Sequence, residues 1–268
     1  MKPLASFVGC AVALSVWFAP HAIAEPTAEP IAIAVGSMAL EDMDFSLRPG
    51  GVEPGTKLHL LVSGLDQPIV DVDGEASTLT RAVDSTGKDL LEEPDNDGFG
   101  FSGGGPIGPF PKVSEDGAQL VVELSMPQAP AKGASSISVE GELAVRVAAG
   151  TKKAEAPGVK TAGGKFELAG QEVEVKGVED SDWQPGKKQL TLRMTAALLE
   201  SVASWSIIGP GGAELSDGPS STMTMMDTAE LGFMMEVAPE AVTVTAEVYD
   251  GMQIVEVPLK LTVGLGVE

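Results

Sequence analysis

The sequence predicts an all-β protein built of two β-sandwich domains that an internal duplication relates. Three observations predict this fold. Gly (32) and Pro (19) are abundant among the 268 residues, the apolar runs between them are short, and one alternating run returns later in the chain. No long segment keeps a helical period, and the best helix candidate, Thr195 to Ser204, would make only about two or three turns.

The repeated run is Ser136 to Val147, where apolar and polar residues alternate as in a strand with one buried face. Its apolar positions are Ile137, Val139, Leu143, Val145 and Val147. A shift of 101 residues places the last three on Val244, Ala246 and Val248. The same shift places Pro157 on Pro258. Because proline cannot donate to a sheet ladder, we expect both of the strands that carry these prolines at sheet edges.

The amino end has the features of a secretory signal peptide, residues 1–24. Lys2 precedes an apolar run from Leu4 to Phe18, and Ala22-Ile23-Ala24 supplies the small residues that a signal peptidase reads. Cys10 lies inside the run, so the mature chain would contain no cysteine and could form no disulfide. We therefore expect a periplasmic or secreted protein with no membrane span after cleavage.

The first domain is predicted over residues 25–161. Residues 25–30 are expected to be a loose tail, and Ser37 to Leu47 and Lys57 to Val62 are expected to be strands. A tight turn around Gly87 follows, and Leu120 to Met126 alternates as another strand with one buried face. The Ser136 strand then closes this half of the chain.

The second domain, residues 162–268, repeats this order. Gly87 corresponds to Gly212 at a shift of 125, and Leu120 corresponds to Leu231 at a shift of 111. Asp250-Gly251 is a two-residue hairpin signal that would join the last two strands. The first half is longer, and most of the excess lies in an insertion at residues 92–112.

Five segments together resemble an uncharacterised family of exported bacterial proteins, to which no activity is assigned. They are G-K-D-L-L from Gly87, S-E-D-G from Ser114, L-V-V-E-L from Leu120, the run from Ala131 to Leu143, and V-P-L-K-L-T-V-G-L-G from Val257. The resemblance covers most of the mature chain and implies tandem immunoglobulin-like β-sandwich domains that lack the immunoglobulin disulfide. It implies no functional residue.

The insertion begins with an acidic stretch that resembles half of a calcium loop. Glu93, Asp95 and Asp97 supply carboxylates at alternate positions, and Gly98 follows them. The bidentate Glu that an EF-hand needs at position twelve is replaced by Gly104. The interpretations left open are an irregular calcium site, which would be the only cofactor, and an acidic turn without a ligand.

The rest of the insertion carries Phe99, Phe101 and Phe110 on a backbone rich in Gly and Pro. Apolar side chains on a loop that a rigid scaffold supports predict a contact surface. The alternative is that the three rings fold back over an open end of the sandwich.

A methionine cluster formed by Met223, Met225, Met226, Met234 and Met235 suggests copper(I), because thioethers are soft ligands. Parity instead assigns Met235 and Phe233 to a buried face and leaves only Met226 and Met234 outside it.

Trp183 and Trp205 are the aromatic residues that a carbohydrate-binding function would need. His59 is the one histidine of the mature chain, and no catalytic motif accompanies it, so we expect no enzyme.

The net charge of the mature chain indicates which classes of partner it could bind. Cleavage after Ala24 removes Lys2 and no acid, so 16 bases and 39 acids give the mature chain a net charge of −23. Such a chain repels nucleic acid and anionic membranes. The sequence therefore predicts a non-enzymatic interaction or structural module of the bacterial cell envelope, with a protein or other envelope partner. The alternatives are a cation-binding protein (calcium, less readily copper) and a carbohydrate-binding protein.

Overall fold

A computed structural model of the chain describes residues 25–36, 55–92, 107–108, 111–181 and 184–266. These residues form an all-β structure of several antiparallel sheets, which confirms the predicted fold class at this level. The strands of the first half are β1 (Thr27–Gly36), β2 (Gly55–Ser63), β3 (Ile69–Asp84), β4 (Lys112–Val113), β5 (Gln119–Met126), β6 (Ser136–Val147), β7 (Gly150–Lys160) and β8 (Gly164–Leu168). The second half contains β9 (Gln171–Asp180), β10 (Lys188–Thr195), helix α1 (Ala196–Glu200), β11 (Val202–Ile208), β12 (Glu214–Ser216), β13 (Ser221–Met225), β14 (Thr228–Met235), β15 (Ala241–Asp250) and β16 (Gln253–Gly264).

The described strands enclose two separate apolar cores. In the first unit, a sheet ordered β1-β2-β5-β4 and a sheet ordered β16-β6-β3 contribute to one buried cluster. In the second unit, sheets ordered β13-β14-β10-β9-β8 and β12-β11-β15-β7 contribute to the other. Each unit thus consists of two sheets with their apolar faces turned toward one another, the arrangement of a β-sandwich.

The alternating run that predicted β6 is confirmed residue by residue. All five of its alternate apolar side chains, Ile137, Val139, Leu143, Val145 and Val147, are buried in the first core. Alternate positions of β5 are buried in the same way, from Leu120 to Met126. Pro157 in β7 and Pro258 in β16 lie on edge strands, as the missing proline N–H predicts.

The two units exchange strands. β7 follows β6 in the chain, but it pairs with β15 of the second unit, and the last strand, β16, returns to pair with β6 of the first. The register continues from one ladder into the other: Val147 pairs with Gln253, and three residues further along each strand Gly150 pairs with Asp250. The Ala149 N–H donates to the Asp250 carbonyl at 3.0 Å between them. A two-stranded antiparallel ribbon therefore runs through both units.

This exchange corrects two expectations. The strands on either side of Asp250-Gly251 belong to different sheets, so the predicted hairpin is wrong. A single boundary near Thr161 does not separate the two cores, because residues 255–265 pack with the first core and residues 154–159 with the second. Thr161 itself is buried, and its Oγ1 donates to the Pro239 carbonyl at 2.6 Å.

The turn match at a shift of 125 has the same backbone hydrogen bond in both halves. The Gly87 N–H donates to the Asp84 carbonyl at 3.0 Å, and the Gly212 N–H donates to the Gly209 carbonyl at 3.2 Å. The closing-strand match is wrong by four residues. Ala82 pairs with Val139, while Ile207, 125 positions later, pairs with Val244, which makes the structural shift 105 rather than 101. Alternation alone does not distinguish the two shifts, because a difference of four residues keeps the same face of the strand buried.

Two local predictions need correction. The expected loose tail at residues 25–30 is largely part of β1, which pairs with β2 and accommodates Pro30 beside a register shift. The predicted helix from Thr195 to Ser204 is limited to Ala196–Glu200, capped by Thr195 Oγ1 accepting from the Leu198 N–H at 3.1 Å, and β11 begins at Val202. The strand expected over Ser37 to Leu47 and the signal peptide lie outside the described residues.

An ion pair spans the junction of the two units. The Arg146 guanidinium on β6 lies 2.8 Å from a Glu200 carboxylate oxygen at the end of α1, and 3.6 Å from Asp73 on β3. Tyr249 of β15 is partly buried; burial, and then the negative charge of Asp71, raise its pKa above the ordinary value. Charged groups of both units therefore meet beside the ribbon.

Candidate functional site

All six residues predicted to form a site lie outside the described residues. These are Phe99, Phe101, Phe110, Glu93, Asp95 and Asp97. The structure does describe Glu92, where the insertion begins, and Ile107, Gly108, Pro111 and Lys112 toward its end. The candidate site can therefore be built from the two anchors that hold the insertion.

The first anchor is fixed by Leu90, which is fully buried in the first core. The Leu90 N–H donates to the Ala82 carbonyl at 2.8 Å, and the Leu90 carbonyl accepts from the Gln128 N–H at 3.1 Å. The Gln128 side-chain amide then donates to the Glu92 carbonyl at 3.2 Å. The chain thus enters the insertion from a fixed position next to the carboxyl end of β5.

The Asp84 carboxylate makes the turn before this anchor rigid. It accepts from the Thr86 N–H and hydroxyl at 2.8 and 2.6 Å, from the Lys88 N–H at 3.0 Å, and from the Ala131 N–H at 2.7 Å. Burial raises its pKa, but the hydrogen bonds from Thr86, Ala131 and Lys88 outweigh burial and hold the pKa at about 2, below the ordinary 3.8. The charged carboxylate therefore ties the turn to the loop that follows β5.

The second anchor is a short extension of the β5 edge. Ile107 forms a bridge with Leu124, the Gly108 N–H donates to the Glu123 carbonyl at 2.7 Å, and β4 pairs Lys112 with Val121. Ile107 packs against the first core. A Cβ built on Gly108 would lie 2.9 Å from the Glu123 Cβ, so a side chain at this position would force Glu123 to move. Only glycine fits this close approach.

Ile107 also extends toward the second sheet of the unit. A Cβ placed on Gly74 of β3 would lie 3.7 Å from the Ile107 Cβ. Because β3 and β4 are edge strands of the two facing sheets, Ile107 lies at the open side between them. Glu92 and Ile107 are therefore both held toward the carboxyl end of β5, by Gln128 and Leu124 respectively, and residues 93–106 join them.

A charged cluster lies on the outer face of the same sheet, next to Gly108. Glu123 is 3.6 Å from the Lys57 ammonium and 3.5 Å from His59 Nε2, and it accepts from the Ser125 hydroxyl at 3.2 Å. Strand pairing sets this geometry, since His59 is directly opposite Glu123. The Ser125 hydroxyl donates to Glu123 rather than to His59, so these residues do not form the relay that a serine nucleophile needs. They offer a polar contact surface.

The methionine prediction is partly confirmed. Phe233 and Met235 are buried, as parity predicted, and Met226 is 96% exposed. Met223 and Met225 are 51% and 66% exposed, so the prediction that only Met226 and Met234 lie outside the buried face is wrong. The reason is that β13 is an edge strand and extends beyond the core. Within the described ranges, no group of three or more His, Cys, Asp or Glu side chains is arranged to hold a metal ion.

Trp205 does not fit a carbohydrate platform. Its ring is buried in the second core and meets Phe233 edge to face, with the ring centroids 6.5 Å apart. A sugar could not stack on it without opening the core. Trp183, the other tryptophan of the carbohydrate hypothesis, lies outside the described residues.

Comparison with known proteins finds no matching family model, no similar curated protein and no similar solved structure. Across the part of the chain that the structure describes, no helix is long and apolar enough to cross a membrane.

Proposed function

We propose that this chain is an exported, non-enzymatic interaction or structural module of the bacterial cell envelope, and that the insertion at residues 92–112 is its contact surface. The observation that carries the proposal is the pair of anchors on β5. One is held by the buried Leu90 and Gln128, and the other by the Ile107 bridge and the Gly108 hydrogen bond. Loops held in this way on a rigid scaffold are where binding residues concentrate.

The composition of the insertion supports a contact role. Three of the six phenylalanines of the mature chain lie within it, at Phe99, Phe101 and Phe110. Large rings on an anchored loop present apolar area at a low cost in side-chain entropy. The charged cluster of Lys57, His59 and Glu123 lies beside the second anchor and would form the polar rim of the contact.

We infer that both units are immunoglobulin-like β-sandwiches that arose by duplication. The shared turn at Gly87 and Gly212 supports this, and so does the arrangement of β6 between β16 and β3, which matches that of β15 between β7 and β11. A duplication explains how strands could be exchanged, because two similar sandwiches offer similar edges to the same closing strand. The insertion then belongs to one copy only.

The charge of the mature chain, −23, favours a partner with a basic surface and disfavours nucleic acid. The signal-peptide features of residues 1–24 favour an encounter in the periplasm or outside the cell. A protein or another envelope component is the partner class that fits both.

The test replaces residues 93–106 with a Gly/Ser segment of equal length and changes Phe110 to Ser. The matched control replaces residues 37–54, the connection between β1 and β2, in the same way. We expect the first variant to lose capture of envelope partners from a native extract, while the control keeps it and both melt close to the parent. Unchanged capture by the first variant would remove the proposal.

The same variant tests the calcium alternative at Glu93, Asp95 and Asp97. If these carboxylates bind calcium, the parent chain melts at a higher temperature with calcium than with a chelator, and the variant shows no difference. Equal midpoints for the parent under both conditions exclude calcium at this loop.

A further inference from the structure

Strand β13, Ser221–Met225, is the outer strand of its sheet, and all five of its residues are exposed. In the described part of the chain, no strand pairs with its outer side. The hairpin to β14 closes through the two-residue turn Met226-Asp227. Because residues that flank such a turn bond to each other, the alternate residues Thr222 and Thr224 direct their backbone N–H and C=O groups outward. These groups form a template for one more strand.

Each of the other described edge strands carries at least one charged residue, and some also carry a proline, both of which discourage pairing. The charges include Glu29 in β1, Lys112 in β4, Lys165 in β8, Asp71 in β3, Glu214 in β12, Lys152 in β7 and Glu256 in β16. β13 reads S-T-M-T-M and carries neither a charge nor a proline. The features that block unwanted pairing elsewhere are therefore absent from this edge.

Two exposed methionines lie on one face of this strand. Met223 and Met225, two residues apart, are on the same face of the sheet, and they pair with Glu230 and Thr228 of β14. Met226, at the tip, is 96% exposed and has a φ of +54°, a conformation that glycine adopts at lower cost. Packing within the described residues explains neither the exposed side chain nor the strained backbone. Flexible thioethers suit a surface that binds apolar side chains of a partner.

The acidic residues of this part of the chain favour a basic partner. From Met194 to Leu259 the chain contains ten acidic residues and no Lys, Arg or His. Of these acids, Glu230, opposite Met223, is paired with Arg193 of β10 at 2.6 Å. Asp227 lies in the hairpin turn itself, and Asp217 lies in the segment that leads into β13. A second copy of so acidic a chain would be repelled, whereas a basic segment would be attracted.

We propose that the outer edge of β13 binds an extended segment of a basic partner protein, which adds a strand to the sheet. The segment alternates lysine or arginine with apolar residues, so that its apolar side chains contact Met223 and Met225. This site is separate from the insertion and does not depend on the function proposed for it.

The test uses the substitution Thr224→Pro, which removes one outward N–H and leaves the bonds to β14 in place. The probe is a labelled eight-residue peptide of alternating Lys and Val, capped at both ends, with binding followed by fluorescence anisotropy. We expect Thr224→Pro to weaken binding by about tenfold or more and to leave the melting temperature nearly unchanged. Methylating alternate backbone nitrogens of the peptide is expected to weaken binding equally.

Charge is tested with a matched pair of exposed apolar residues on two edge strands. Met223→Lys in β13 is expected to weaken binding, while Ile254→Lys in β16, where the exposed fraction is 53% against 51% for Met223, changes it less than about twofold. A Glu-Val peptide is expected not to bind. Equal binding by the Thr224→Pro variant, or no binding of the Lys-Val peptide, overturns the proposal. It is also overturned if Thr224→Pro instead abolishes self-association or lowers stability, because the edge would then be occupied by this chain.

Discussion

Val257→Ala tests the strand exchange most simply. Val257 lies on β16, near the carboxyl end of the chain, and is fully buried in the first core opposite Leu143. The change removes two buried carbons, about 1.6 kcal/mol of transfer free energy at roughly 0.8 kcal/mol each, and leaves a cavity. The expected destabilisation is about 2 to 3 kcal/mol, and it falls on the first unit.

The matched variant is Val244→Ala, which removes the same atoms from a fully buried position in the second core. Hydrogen exchange followed by mass spectrometry reports which peptides open. For Val257→Ala we expect exchange to rise roughly 30- to 150-fold in β2, β5 and β6. For Val244→Ala the same increase is expected in β10, β14 and β7. If Val257→Ala mainly accelerated exchange in β14 and β15, the assignment of β16 to the first unit would be refuted.

Three further experiments test single features. Asp84→Asn leaves the Ala131 N–H without a carboxylate and should cost about 1 to 2 kcal/mol at neutral pH after allowance for solvent screening. Because folding lowers the pKa of Asp84, the loss of stability in Asp84→Asn should be full above about pH 4 and vanish as the pH falls toward 2. The control Asp116→Asn, in an exposed turn, should destabilise the protein less. An equal loss of stability in Asp84→Asn at pH 2 and at neutral pH would contradict this reasoning. Met226→Gly should raise stability by up to about 1 kcal/mol in urea unfolding, and a lower midpoint would disprove the strain. A double-mutant cycle of Arg146→Met and Glu200→Gln should give a coupling of about 0.5 to 1 kcal/mol that falls with salt, and zero coupling would exclude a link across the junction.

Local patterns in the sequence predict the strands well and their partners poorly. The alternation in β6 predicts five of its six buried positions, because side-chain direction in a strand has a period of two, and it misses only Ala144. The pairing of β6 with β16 could not be predicted in this way, since β7 is also a strand and only two residues separate it from β6. Choosing between them depends on the path through Ala148-Ala149, which is a property of tertiary structure.

Edge positions explain the other errors. Pro26 and Pro30 favoured a loose tail, yet a proline costs little where its missing N–H would face solvent, and β1 forms at an edge. Met223 and Met225 alternate with threonines as in a half-buried strand, but an edge strand that extends past the core exposes both of its faces. Alternation alone does not tell how far a strand lies from the centre of its sheet.

The insertion could be found from the sequence because the two halves differ in length there. Its anchors could not be found in this way. Ile107, Gly108 and Glu123 come together only through pairing with β5, and no pattern in the sequence joins residues that pair across a loop. The sequence therefore predicts the residues proposed to make contact but not the anchor residues that position them.

Photo-crosslinking from the insertion tests the proposed contact surface most directly. Phe101 is replaced by a benzophenone-bearing phenylalanine analogue, and the same analogue is placed at Ile254, an exposed apolar residue on β16, as the control. After irradiation of intact cells, we predict a discrete adduct from position 101 and none from position 254. Adducts from both positions at equal yield, or none from position 101, would contradict the assignment of the insertion as the contact surface.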